Sequence, residues 1–155
     1  MNKGMSLIEI LIAVTIFAVL GIITTSAIAL TLKGSKKSES SLKVRENIGY
    51  SLSVIERQLR NADSISACNS TSVNYLDSLG NSASFSCIGN YIASGSAMIR
   101  LTSDEIAVTS CSFTCELGGS TSPSVSVSLE ACDAQSTGID GASITISTKV
   151  FLRTY

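Results

Sequence analysis

A single carboxylate within an apolar N-terminal segment is the feature of this sequence with the clearest chemical consequence. Glu9 is the only charged residue between Met5 and Leu32, a segment that reads MSLIEILIAVTIFAVLGIITTSAIALTL. As a helix this segment would extend about 42 Å, which exceeds the hydrocarbon core of a bilayer, roughly 30 Å thick. An acid within lipid costs roughly 3 kcal/mol, and less near the interface. Membrane insertion alone therefore does not explain why Glu9 is there.

Two ordinary interpretations of the segment leave Glu9 without a use. A simple membrane anchor would tolerate the acid and nothing more. A secretory signal peptide would be cleaved after Ala29, at the A-x-A-like sequence SAIA of Ser26–Ala29. Its basic region would be only MNKG, however, and Glu9 would interrupt the start of its apolar region.

The residues around Glu9 resemble the cleavage and methylation signature of type IV prepilins and the related pseudopilins. Lys3, Gly4, Met5 and the sequence SLIE of residues 6–9 carry this resemblance, together with the apolar run behind them. The resemblance implies that a membrane aspartic peptidase, the prepilin peptidase, cuts between Gly4 and Met5 and methylates the new amine of Met5. Glycine at position 4 would let the backbone enter the peptidase without an obstructing side chain.

The resemblance also implies a function for Glu9 in assembly. In such filaments the helices bundle in a core with little water, and each glutamate faces the N-terminal amine of a neighbouring subunit. A buried carboxylate is tolerated when it is paired and destabilises strongly when its partner is removed. We therefore expect Glu9 to favour the transfer of a subunit from lipid into the filament, where that amine is present.

Composition argues against an enzyme and against a nucleic-acid-binding protein. The chain has no histidine, which removes the commonest general base and the commonest metal ligand. Its net charge of −1 does not suggest a nucleic-acid or anionic-lipid partner. No phosphate-binding loop, nucleophile elbow or metal motif is present, so the sequence predicts neither catalysis nor a cofactor.

The charges that flank the apolar run and the cysteines beyond it predict opposite topologies. Lys33, Lys36 and Lys37 follow the run, whereas Lys3 precedes it, so the positive-inside rule alone would place the remainder in the cytoplasm. Five cysteines in a Ser/Thr-rich domain instead favour disulfides formed outside the cytoplasm. With the prepilin signature, they predict a single-pass protein of the cytoplasmic membrane, its C-terminal domain outside, that later enters an extracellular or periplasmic filament.

The five cysteines leave at least one without an intramolecular partner; they are Cys68, Cys87, Cys111, Cys115 and Cys132. Cys111 and Cys115 would lie on one face of a strand, about 13 Å apart, whereas bridged Cα atoms lie within about 7 Å. If the chain turns back at Gly118–Pro123, Cys132 lies opposite the neighbourhood of Cys111. We therefore favour Cys111–Cys132, with Cys68–Cys87 as a second pair and Cys115 free. The alternative is that the cysteines are mostly unpaired core residues.

Apolar periodicity predicts a second helical stretch after the membrane segment. The stripe recurs at steps of three and four and comprises Val44, Ile48, Leu52, Ile55, Leu59 and Ala62. Glu56 and Arg60 form an i,i+4 pair, and the helix is predicted to end at Asn61–Asp63. The simplest interpretation is one long helix, in which the polar run Lys33–Ser41 is either helical or a non-helical joint.

The pattern then changes to the alternation of antiparallel strands, which predicts an α+β fold. The predicted elements are a hairpin of Ser72–Asp77 and Ser82–Ile88, then strands at Glu105–Glu116, Val125–Ala131 and Ala142–Thr154, with turns at 118–123 and 136–141. The alternation of apolar and polar residues shifts by one position between Val108 and Cys111, which predicts a β-bulge. Three successive strands would pack on the helix stripe in a pilin-like arrangement.

The predicted organisation has four parts: a leader at 1–4, a transmembrane and filament-core helix at 5–32, the second half of the helix at 33–65 and an extracytoplasmic antiparallel β domain at 66–155. Three stretches of the last two parts are similar to W-type minor pilins and J-type pseudopilins. They read VIERQLRNADSI, RLTSDEIAVTSCSF and TKVFLRTY.

Together the two resemblances imply a structural subunit, a minor pilin of a type IV pilus (fimbrium) or a related filament. The alternatives are a pseudopilin of a type II secretion or DNA-uptake system and, in a different class, a membrane-anchored or secreted binding domain. The implied partners are the prepilin peptidase, other pilin or pseudopilin subunits, an inner-membrane assembly platform and, before assembly, membrane lipid.

Overall fold

The computed structural model describes residues 6–118, 122–135 and 143–152. The chain forms two compact units, one ending at Ser38 and the other beginning at Glu39. Helix α1 (Leu7–Arg60) is a single helix of 54 residues, which corresponds to about 80 Å. The prediction of one long helix ending near Asn61 is confirmed. The polar run Lys33–Ser41 is helical, not a joint, although it contains a glycine and four serines.

The buried face of α1 after Glu39 is the stripe that the periodicity predicts. Its apolar members are Val44, Ile48, Leu52, Ile55 and Leu59, followed by Ala62 just beyond the helix. Each fully buried branched side chain contributes about 1.5–3 kcal/mol. Glu56 and Arg60 form the expected ion pair on the outer side of the helix. Tertiary packing of one face therefore holds this part of the helix in place.

The first sheet contains five antiparallel strands in sequence order. They are β1 (Ser64–Cys68), β2 (Ser72–Leu76), β3 (Ser82–Ile88), β4 (Tyr91–Ser94) and β5 (Ile99–Arg100). The predicted hairpin is β2–β3, and its turn is closed by the Asp77 carboxylate, which accepts hydrogen bonds from the backbone N–H groups of Leu79 and Asn81. The sequence analysis missed β1, β4 and β5. Strands β4 and β5 have only four and two residues, and the burial of side chains along β1 does not alternate as it does along β2.

The second sheet contains three antiparallel strands, also in sequence order. They are β6 (Ile106–Glu116), β7 (Ser124–Asp133) and β8 (Ser143–Phe151). The register shifts between Val108 and Ser110, which confirms the predicted bulge. Part of the predicted turn at 118–123, all of that at 136–141, and residues 142, 153 and 154 of the last predicted strand lie outside the described residues.

The helix stripe and both sheets share one hydrophobic core. The first sheet contributes Val73, Tyr75, Phe85 and Ile92, and the second contributes Val125, Val127, Leu129 and Val150 among others. The rings of Tyr75 and Phe85 stack with their centroids 5.5 Å apart. The α+β prediction, a long helix packed against antiparallel sheets, is therefore confirmed, with two sheets in place of a hairpin and three strands.

Polar contacts add to the apolar packing between α1 and the strands. Ser40 Oγ donates to Asp133 Oδ2 at 3.0 Å, and Lys43 Nζ lies 2.5 Å from Glu105 Oε2. Hydrogen bonding to Glu105 raises the pKa of Lys43 above its ordinary value.

Two disulfides join the two sheets through β6. Cys68 of β1 is bonded to Cys115, and Cys87 of β3 is bonded to Cys111. Cys132 is the free cysteine and is half-buried. Cys111 and Cys115 lie on one face of β6 without bridging each other, as predicted, and the buried Phe113 lies between them.

The predicted pairs Cys111–Cys132 and Cys68–Cys87 differ from those in the structure. In the β6–β7 ladder Cys111 faces Leu129, whereas Cys132 faces Ala107. Cys132 is therefore three residues further along β7 than the residue opposite Cys111, and on the other face. Cys68 and Cys87 lie on strands separated by β2, about 9.6 Å apart, which is too far for a bridge.

Candidate functional site

The candidate site is the N-terminal end of α1, where the first turn presents Glu9. The backbone carbonyl of Ser6 accepts hydrogen bonds from the N–H groups of Glu9 (3.0 Å) and Ile10 (3.3 Å). An acid in the first turn interacts favourably with the positive end of the helix dipole. Gly4 and Met5, the candidate cleavage and methylation residues, lie outside the described residues.

The spacing of Ser6 and Glu9 is a signal that the sequence analysis did not use. A Ser followed three residues later by Glu, just before an apolar run, is the pattern of a helix N-terminus. The observed helix begins at Leu7, one residue after Ser6. This pattern alone places Glu9 in the first turn, whatever its function.

The surroundings of Glu9 on α1 are apolar and unburied. Its neighbours Leu7, Ile8 and Ile10 are each half or more exposed, and α1 contains a stretch long and apolar enough to cross a membrane, none of which is buried within the chain. Exposed apolar surface of this extent requires lipid or other protein around it. The Glu9 carboxylate therefore enters whatever environment covers this helix.

The hydroxyl groups of the apolar segment are satisfied by the helix itself. Five side chains donate to backbone carbonyls three or four residues earlier: Thr15, Thr24, Thr25, Ser26 and Thr31. Such bonds let Ser and Thr enter lipid without unpaired polar groups. Glu9 differs from them because a carboxylate oxygen accepts hydrogen bonds and cannot donate one to a backbone carbonyl of its own helix.

No basic residue of the described part of α1 lies close enough to pair with Glu9. The first basic residue after it is Lys33, and 24 residues of helix correspond to about 36 Å. A terminal amine created at Met5 would lie within one helical turn of Glu9 in the sequence. A cut after Gly4 would thus supply the missing charge, either within the chain or on a neighbouring molecule.

A cleft lies beside the C-terminal end of α1. It has a volume of about 380 Å³ and is lined by Arg57, Gln58, Asn61, Tyr75, Asp77, Ser78 and Ala83. Tyr75 Oη donates to Gln58 Oε1 at 2.6 Å, and burial raises the pKa of Tyr75. Its hydroxyl is thus engaged and protonated at neutral pH.

Among residues 6–118, 122–135 and 143–152, no cluster of His, Cys, Asp or Glu is arranged to hold a metal.

Comparison with known proteins gives one result, at the N-terminus. Residues 1–25 match the family model described as the prokaryotic N-terminal methylation motif. No curated protein and no solved structure matches the chain. The motif covers Gly4, Met5 and Glu9 together. Together with the exposed apolar helix, the motif supports a structural protein, a type IV pilin-like or pseudopilin subunit. Both features fit a subunit that is anchored in a membrane before it enters a filament.

Proposed function

We propose that the chain is a prepilin that is cut between Gly4 and Met5, methylated on the new amine of Met5, and assembled as a minor subunit of a type IV pilus or related filament. The observation that carries the proposal is the position of Glu9. It is the one acid in the unburied apolar part of α1, residues 7–32, and it lies in the first turn, within the matched methylation motif. Insertion into lipid accounts for the exposed apolar surface of the helix, and pairing with a terminal amine during assembly accounts for the acid.

The proposed mechanism is a change of partner by α1. Before assembly, the apolar part of the helix lies in the cytoplasmic membrane, and Glu9 lies near one interface, where its cost is lowest. In the filament, the same surface packs against the helices of other subunits and excludes water. An unpaired carboxylate is strongly disfavoured in such an environment, whereas one that meets a terminal amine is tolerated. Glu9 thus selects docking positions at which a neighbour's Met5 amine is present.

The two disulfides support an extracytoplasmic position for the β domain. Disulfides persist in oxidising compartments and are rare in the cytoplasm, and here they join the two sheets. The lysines after the apolar run, Lys33, Lys36 and Lys37, argue for the reverse topology. We give the disulfides more weight, because three lysines at an outer interface contact lipid headgroups at little cost.

Intact-mass analysis of the mature protein tests the proposal. We expect a chain that begins at N-methylated Met5 in cells with a prepilin peptidase and an uncut chain in cells without it. Gly4→Val should block the cut because it adds a side chain at the cleavage site. Gly21→Ala is the matched control, since a methyl group at Gly21 contacts nothing within 4 Å.

The other termini identify the competing functions. A chain that begins at Leu30 in the presence of the peptidase would indicate a secreted binding domain and overturn the proposal. An uncut Met1 under the same conditions would indicate a membrane-anchored domain and overturn it equally.

A pseudopilin of a secretion or DNA-uptake system is the second candidate. The resemblance of residues 54–65, 100–113 and 148–155 is to J-type pseudopilins as well as to W-type minor pilins, so it does not separate the two. Immunogold labelling of sheared surface filaments separates the two. A minor pilin is found in these filaments, whereas a pseudopilin stays in the cell envelope.

A further inference from the structure

The cleft beside the C-terminal end of α1 brings together polar side chains that are distant in the sequence. The end of the helix supplies Arg57, Gln58 and the adjoining Asn61. The turn that follows β2 supplies Asp77 and Ser78. The volume of the cleft, about 380 Å³, lies within the usual range for small-molecule sites, roughly 300–1,000 Å³. Polar groups that converge on a cleft of this size are a feature of ligand sites.

The side chain of Gln58 is held in place by a buried hydrogen bond. Tyr75 is only 3% exposed, and its Oη donates to Gln58 Oε1 at 2.6 Å. The ring of Tyr75 stacks on Phe85, with the centroids 5.5 Å apart. Because the bond occupies Oε1, the amide nitrogen of Gln58 remains as a donor in a fixed position. A group that is already ordered loses less conformational entropy when a ligand binds.

Asp77 contributes a carboxylate that is fixed in orientation and ionised. Its Oδ1 accepts hydrogen bonds from the backbone N–H groups of Leu79 and Asn81, and its Oδ2 accepts one from the Asn81 side chain at 3.2 Å. The backbone and side-chain hydrogen bonds from Asn81 lower the pKa of Asp77 below its ordinary value. Each carboxylate oxygen can accept about two hydrogen bonds, so Oδ2 can still accept one from a ligand.

Three side chains of the cleft make no hydrogen bond or ion pair within residues 6–118, 122–135 and 143–152. They are Arg57, Asn61 and Ser78. Arg57 and Asp77 thus line the same cleft without pairing with each other. The cleft offers a guanidinium, two amides, a hydroxyl and a carboxylate that all have unused hydrogen-bonding capacity. The formal charges of these groups sum to zero.

This combination of groups favours a neutral ligand over an ion. An anion would be repelled by Asp77 and by the negative end of the helix dipole, whereas a cation would be repelled by Arg57. A hydroxyl group avoids both repulsions, since it accepts a hydrogen bond from a guanidinium or an amide and donates one to a carboxylate. Guanidinium, amide and carboxylate groups each present two polar atoms side by side, so they suit a ligand with pairs of adjacent hydroxyls.

We propose that this cleft binds a neutral saccharide unit, whose hydroxyls accept from Arg57 and Asn61 and donate to Asp77 Oδ2. Recognition rests on hydrogen bonds and not on stacking, because the Tyr75 ring is buried against Phe85. The affinity for a single sugar unit is therefore modest, with a Kd on the order of 1 mM. The site adds glycan binding to filament assembly, and it depends neither on cleavage of the leader nor on assembly.

Titration of the full, uncut chain with methyl glycosides tests the proposal. The chain is kept in a detergent without a sugar headgroup, and ligand-observed NMR measures the Kd of the methyl glycosides of glucose, galactose and mannose. We expect at least one of them to bind. Arg57→Ala should weaken binding about tenfold and Asn61→Ala about threefold, because each removes a hydrogen bond to the ligand. Arg45→Ala is the matched control, since Arg45 is exposed on the same helix and does not line the cleft.

A lysine at position 57 separates hydrogen bonding by a planar group from simple attraction of charges. Arg57→Lys keeps the positive charge but lacks the planar pair of donors, so its affinity should fall about as far as that of Arg57→Ala. Glucuronate, an anion, and glycine, a zwitterion, should bind more weakly than the best neutral glycoside. Tighter binding of either, wild-type affinity in the Arg57 variants, or no binding of any of the three glycosides would overturn the proposal.

Discussion

At the scale of single residues, Glu9 differs from every other charged residue of the chain. The remaining acids lie beyond the apolar segment, and several pair with lysine or arginine on the folded domain. Glu9 is surrounded by exposed apolar side chains and has no basic side chain within about 36 Å along the described helix. Transfer of its carboxylate from water into lipid, or into a filament core that excludes water, is unfavourable unless a cation pairs with it.

Replacement of Glu9 should therefore impair assembly and leave membrane insertion intact. We expect Glu9→Leu to reduce the amount of this subunit in sheared filaments at least about tenfold, because it removes one partner of the proposed charge pair with a terminal amine. Immunoblots of filament and membrane fractions measure both quantities. Glu39→Gln is the control, since Glu39 is exposed on the same helix beyond the apolar segment. Normal incorporation of Glu9→Leu would show that the acid has no part in assembly.

The pair Glu116–Lys149 predicts a dependence of stability on pH. The hydrogen bond from Lys149, then its charge and the hydrogen bond from Ser124, lower the pKa of Glu116 below its ordinary value of 4.5. A group with a lowered pKa in the folded state stabilises the protein above its unfolded pKa, and this contribution is lost as the pH falls through the folded value. The contribution is small, because both side chains are largely exposed to solvent.

We expect Glu116→Gln to lower the free energy of unfolding slightly at pH 7 and to have less effect at pH 3. Urea unfolding of the full chain in detergent at both pH values measures the difference. Glu46→Gln serves as the control, because Glu46 is exposed on α1. An effect of Glu116→Gln that grows as the pH falls would contradict the sign of this linkage.

At the scale of elements, α1 has two different surfaces along its length. Before Ser38 its side chains are almost all exposed, whereas after Glu39 one stripe is buried in the core of the domain. The physical basis is the same in both parts, since each needs an apolar environment. Only the second part finds this environment within its own chain.

Truncation of the buried stripe should destabilise the domain. Ile55 is fully buried, and Ile55→Ala should lower the free energy of unfolding by about 3 kcal/mol through lost apolar contact and a cavity. Leu42→Ala is the matched control, because Leu42 is 57% exposed on the same helix and should cost less than about 0.5 kcal/mol. Thermal unfolding followed by circular dichroism compares them. Equal effects would mean that the stripe is not the packed face.

At the scale of the whole molecule, the two disulfides connect elements that are far apart in the sequence. Cys87–Cys111 and Cys68–Cys115 span 24 and 47 residues. Both end on β6, so this one strand is attached covalently to two strands of the first sheet. The bridges therefore constrain how the two sheets pack, more than the structure within either sheet.

Removal of each bridge should destabilise the domain, slightly more for the bridge that closes the longer loop, because the entropy of loop closure grows with the logarithm of loop length. The loop-entropy relation gives about 3 kcal/mol for the Cys87→Ala/Cys111→Ala variant and about 4 kcal/mol for Cys68→Ala/Cys115→Ala. Cys132→Ser should change stability by less than about 0.5 kcal/mol. Chemical unfolding measures these differences, and non-reducing peptide mapping checks the pairing. A bridge that includes Cys132 would contradict the sheet register described here.

Local periodicity was sufficient to predict much of the fold. The stripe from Val44 to Ala62, the β2–β3 hairpin and the bulge near Thr109 were predictable because each depends on which side chains within a few residues face the core. The site itself stays a prediction: it rests on Gly4, Met5 and Glu9, which are close in sequence and lie within the matched motif.

The tertiary structure alone decided which distant residues meet. A disulfide requires Cα atoms within about 7 Å, and residues 24 or 47 positions apart come that close only once the two sheets have packed. The same holds for Lys149 and Glu116 across β7. These features depend on the order and register of the strands, which no periodicity within a single strand contains.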